Sequence, residues 1–167
     1  SSTSRGLGDV YKRQVLGTVG FGAERAGSSL GDAVEDLFVV ERHYSENALF
    51  EGFGVVSMGE LVGQPAVKFL IRNTDYSAPK LYELIAPHID PELAHLTYSM
   101  QEGILEVAAP NVTKRRGVEW LAEHTGVAQQ ETIAFGDMPN DIEMLRWAGC
   151  GVACLLYTSD AADERSS

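Results

Sequence analysis

The run Phe135-Gly136-Asp137-Met138-Pro139-Asn140-Asp141 gathers two carboxylates and an amide into one short stretch. Gly136 lets the backbone turn sharply, and Pro139 stiffens the loop. Thr132 to Phe135 just ahead reads as a short apolar strand, so these polar groups fall past a strand's C-terminal end. In open α/β sheets that edge is where ligands bind. Magnesium takes hard oxygen donors, commonly one or two carboxylates together with a substrate phosphate. Asp137, first off the strand, is therefore the candidate metal ligand. A structural reading stands beside it: Asn140 can cap the next helix and Asp141 can complement its dipole. Upstream, Lys114 lies in the first turn of a helix expected after Asn111-Val112-Thr113. A cation is disfavoured at that positive helix end, so Lys114 there points to a phosphate that it would neutralise. Arg115 and Arg116 fit a solvated helix face.

The elements that must position these groups are set by periodicity. Thr113 can cap a helix with Val118, Leu121 and Ala122 on one face and Gly126 as its stop. Ile142, Leu145 and Trp147 lie on a second helix ending at Gly149, and Gly151-Val152-Ala153 begins another strand. Helix, strand, helix, strand with short loops is the grammar of a parallel, doubly wound sheet. Before Pro110 the grammar differs. Between Val15 and Leu61, glycines at 17, 20, 22, 27 and 31 break any long helix, and Leu37 to Val40 suggests a short strand. Val67, Phe69 and Ile71 alternate with Lys68, Leu70 and Arg72, the pattern of a strand. Ser77 can cap a helix with Pro79 in its first turn and Leu81, Leu84 and Ile85 on its apolar face. His95 to Met100 and Ile104 to Ala109, joined through Gln101-Glu102-Gly103, read as a hairpin with Glu106 on one face. This part is expected to be α+β rather than βαβ, with a domain boundary at Pro110.

The two ends differ in kind from the rest of the chain. Ser4 to Gln14 (SRGLGDVYKRQ) and Cys154 to Glu164 (CLLYTSDAADE) back-translate to strands that are reverse complements over AGATGTGTATAAGAGACA. That string resembles the transposon end of sequencing-library adapters. Residues 1–14 and 154–167 are accordingly expected to be non-native, and residues 1–14 and 155–167 to pack into no core. The protein proper is expected to be residues 15–153, cut at both sides.

Composition narrows the class. The net charge is −11, and the end segments cancel, at +2 (Arg5, Lys12 and Arg13 against Asp9) and −2 (Asp160, Asp163 and Glu164 against Arg165). An acidic chain without a basic stripe argues against nucleic acid or an anionic membrane as partner. Of two cysteines, only Cys150 lies inside the trimmed chain. No internal disulfide is then possible, which fits a reducing, cytoplasmic location. No apolar run approaches the ~18 residues of a membrane span.

Taken together, Asn111 to Gly117, Thr132 to Leu145 and Ala148-Gly149-Cys150-Gly151-Val152-Ala153 resemble the Cof-type subgroup of the haloacid dehalogenase superfamily. That subgroup ends its fold with a lysine-bearing helix start, a strand running into GDxxND, then "ML" and "AG-GVA". The resemblance spans about residues 106–153. It implies an α/β fold: residues 110–153 as the C-terminal part of a Rossmann-like core, and residues 15–109 as a partial α+β cap of type IIB. It further implies a Mg²⁺-dependent phosphatase of small, sugar-phosphate-like metabolites acting through an aspartyl-phosphate. In that family Asp137 matches the Mg²⁺ ligand, and Lys114 the lysine steadying the nucleophile and the phosphoryl group. Asn140 matches a substrate-contacting position, and Asp141 the second acid, which orients the lysine and a metal-bound water. Met138 stands where the family often has glycine. The DxDGT nucleophile motif and the Ser/Thr phosphate motif have no counterpart from Val15 onward, so the chain itself is expected to be inactive. A phosphomutase of the same superfamily and a non-catalytic, degenerate homologue are the alternatives.

Overall fold

The computed structural model describes residues 19–154 except Ser28 and Leu30. Expectations about the remaining end residues lie outside the described residues. The chain divides into two compact units after Pro110.

The first unit is built on one six-stranded sheet of order β3-β2-β1-β4-β6-β5. Its strands are β1 (Val19–Glu24), β2 (Phe38–Val40), β3 (Gly54–Val55), β4 (Lys68–Asn73), β5 (His95–Thr97) and β6 (Ile104–Ala108). Central β4 pairs antiparallel with β1 and β6, aligning Leu70 with Gly22 on one side and Glu106 on the other. Four short helices accompany the strands: α1 (Val34–Leu37), α2 (Arg42–Glu46), α3 (Met58–Val62) and α4 (Ala78–Ile85). The alternation read along 67–72 produces β4. The hairpin also forms, but β5 ends at Thr97 and residues 98–103 make a longer connection than the alternation to Met100 implied.

Two local expectations need correction. Pro79 sits in the first turn of α4, yet Ser77 makes no side-chain capping bond; the apolar stripe of Ala78, Leu81 and Ile85 buried against Leu96 and Leu105 holds this helix. The unit is also not free of βαβ character, because β2 and β3 pair in parallel with α2 between them. Periodicity did not reveal α2, which is five residues long and whose anchor is polar. Glu41, at its N-cap, accepts from the Tyr44 and His43 N–H groups and from the Phe21 N–H on β1. One carboxylate thus caps a helix and ties it to the sheet.

Apolar side chains line both faces of this sheet. On one, α4 covers Leu96 and Leu105, while Leu61 of α3 packs with Ala23 and Val39. On the other, Val40, Tyr44, Leu70 and Ile104 pack together with Phe38, Phe53 and Met100 at their edge. Tyr44 is fully buried because Gly20 has no side chain; a Cβ there would lie 2.6 Å from the Tyr44 backbone.

The second unit contains α5 (Lys114–Thr125), β7 (Ile133–Gly136), α6 (Ile142–Trp147) and β8 (Cys150–Ala153). β7 and β8 pair in parallel, Ile133 with Cys150 through Gly136 with Ala153. The pairing continues past Ala153, since the Cys154 N–H donates to the Gly136 carbonyl. Gly126 ends α5 at φ 71°. The expected apolar face of α5 is only partly buried: Ala122 is buried, whereas Leu121 is 54% exposed. The apolar strand β7 is covered on one face only: Ile133 and Phe135 project from the face opposite Ala134 and are 66% and 64% exposed. No helix among the described residues is long and apolar enough to cross a membrane.

Two glycines separate packing from propensity. Gly20→Ala should destabilise the protein by about 1–3 kcal/mol through overpacking against Tyr44. Gly117→Ala meets nothing within 4 Å and should stabilise by roughly 0.5–1 kcal/mol through helix propensity. Urea unfolding midpoints should move in opposite directions.

Candidate functional site

Local interactions of the second unit place each candidate group. Thr113 takes the N-cap of α5, its hydroxyl accepting from the Arg116 N–H, which fixes Lys114 as the first helical residue. Asn111 ahead of it is the one described non-glycine residue with positive φ, 64°, a conformation asparagine tolerates better than most. Its type carried that signal, although the motif alone did not reveal the turn. On the other side, β7 delivers Gly136 and Asp137, and a 3-10 turn from Pro139 to Asp141 leads into α6.

Asp141 is the hub. It is 4% exposed, and one carboxylate oxygen accepts from the N–H groups of both Asp137 and Met138, each at 3.1 Å. The other meets Lys114 Nζ at 2.5 Å. Lys114 Nζ also donates to Asn140 Oδ1 at 3.2 Å. Gly136 is dictated by the same packing, since a Cβ there would fall 2.4 Å from the Asp141 Cβ. Lys114, Asn140 and Asp141 are therefore in direct contact, although Lys114 and Asp141 lie 27 residues apart in sequence. Asp137 joins them through its backbone, and its side chain is exposed.

The electrostatics follow from this geometry. Desolvation is the largest single influence on Asp141 and pushes its pKa up. It is outweighed by the Lys114 hydrogen bond, the Met138 and Asp137 N–H groups and the Lys114 charge, which together hold the carboxyl below its ordinary value. Asp141 is thus an anion at neutral pH and carries Lys114 as its counterion. The structural role open to Asp141 is met in part. Asp141 makes no side-chain cap to α6 itself, but its carboxylate accepts from the Met138 N–H, the N-cap of the 3-10 turn that leads into α6, and also meets Lys114. Capping of that turn and the pairing with Lys114 therefore share in holding the buried carboxylate.

Whether these residues suit a magnesium ion depends on the donor set. No cluster of three or more His, Cys, Asp or Glu side chains able to hold a metal occurs among the described residues. Asp141 and Asn140 already have partners, which leaves the Asp137 carboxylate as an outward hard oxygen donor. One carboxylate is a partial set for an ion that also uses water and phosphate oxygens. The residues fit the ion to that extent.

The chain belongs to the haloacid dehalogenase-like hydrolase family, whose pattern matches residues 41–155. It is a Cof-like member with an α/β fold. A 5-amino-6-(5-phospho-D-ribitylamino)uracil phosphatase of Bacillus subtilis is 27% identical over 131 residues, covering 74% of this chain and 47% of that protein. An HMP-PP phosphatase of Cronobacter sakazakii is 39% identical over 59 residues, 35% of this chain and 21% of that protein. Among solved structures, a subclass IIB sugar phosphatase of the superfamily superposes with a TM-score of 0.63 at 19% identity, over 92% of this chain and 55% of that one. The chain thus spans about half the length of the longer matches among these, 47% and 55%.

Removing the hub should be far costlier than removing the outward carboxylate. Asp141→Ala strands two N–H groups and a lysine and should cost about 2–4 kcal/mol of stability. Asp137→Ala removes an exposed side chain and should stay within about 0.5 kcal/mol. Urea denaturation measures both, and the Asp137 and Met138 amide resonances should shift in Asp141→Ala.

Proposed function

We propose that these residues belong to a phosphatase that hydrolyses small phosphorylated metabolites with Mg²⁺, and that this chain supplies part of its phosphate-handling site. The observation that carries the reading is the contact of Lys114 with both Asn140 and Asp141 beside the exposed Asp137. A lysine at a helix start, bound to a buried carboxylate past a parallel strand, is a positioned cation at the edge where such sheets take ligands. The family membership and the phosphatase relatives supply the reaction class.

In this mechanism Lys114 neutralises charge on the phosphoryl group, and Asp141 holds its ammonium in place. Asn140 offers an amide to a phosphate or substrate oxygen once Lys114 engages the ligand. Asp137 would hold the magnesium ion, which when bound offsets charge on phosphoryl oxygens. Electrostatic groups of this kind work because they are oriented before the reaction begins. The substrate is a small phosphate monoester of the sugar-phosphate or phosphorylated-heterocycle kind, and no nucleic acid or membrane is required.

An aspartyl-phosphate intermediate needs a carboxylate nucleophile, and none of the residues assigned here plays that part. The 167-residue chain is therefore expected to release no phosphate from an aryl phosphate or from sugar phosphates, with or without EDTA. In the intact reading frame containing these residues, turnover should be abolished by EDTA. There, Asp137→Ala and Lys114→Met should each lower kcat by about 100-fold or more, in the range seen when a transition-state charge stabiliser is removed. EDTA-resistant turnover, or full activity in Lys114→Met, would overturn this assignment.

A further inference from the structure

We draw no further inference here: the strongest candidate, the apolar face of β7 in the second unit where Ile133 and Phe135 stand mostly exposed, carries nothing because nothing in the structure shows what covers it.

Discussion

A carboxylate at position 141 can be buried only if its charge is met from several directions, and that requirement organises the second unit. Two backbone N–H groups reach it from the loop after β7, and one ammonium reaches it from the start of α5. Each contact fixes something different. The N–H groups of Asp137 and Met138 set the curvature of the loop, which leaves the Asp137 side chain directed outward. The lysine ties α5 to that loop. Gly136 is a consequence, because the Asp141 side chain occupies the volume that a Cβ would take.

Neither Lys114 nor Asp141 is comfortable alone. A cation in the first turn of a helix opposes the dipole there, and a carboxylate at 4% exposure loses nearly all its hydration. Together they offset each other's cost, and the Lys114 side chain remains half exposed. An ammonium held by a buried anion but open to solvent is available to a second anion without being rebuilt. That preorganisation is what electrostatic stabilisation of a phosphoryl group requires.

How much of this was legible in the sequence depended on whether a residue's role is local. Thr113, Gly126, Gly136 and the alternation along β4 are local signals, and each produced the expected element. The convergence of Lys114 with Asn140 and Asp141 was legible only because strand-loop-helix order fixes which ends share a pole of a parallel sheet. What escaped was set by tertiary partners. The helix α2 depends on Glu41 and on the absence of a side chain at Gly20, neither of which has a periodic signature. Ser77 was a suitable capping residue, but the buried stripe of α4 holds the helix without its hydroxyl. The parallel pairing of β2 with β3 joins strands of three and two residues, too short to show a period.

β7 illustrates the reverse case, in which a strong pattern and the described surroundings disagree. Thr132 to Phe135 is apolar enough for a strand enclosed on both sides, yet Ile133 and Phe135 stand mostly exposed on one face while Ala134 is buried on the other. A two-stranded sheet gains little stability from its own pairing. The site beside it does not depend on that pairing alone. Its loop is held by bonds between residues three and four apart, and Lys114 ties it over long range to both Asp141 and Asn140. Local bonds of this kind close small loops at low entropic cost, so the loop geometry can persist even where the sheet that carries it is narrow. The Lys114–Asn140–Asp141 cluster and the enclosure of β7 are therefore separable properties of this chain.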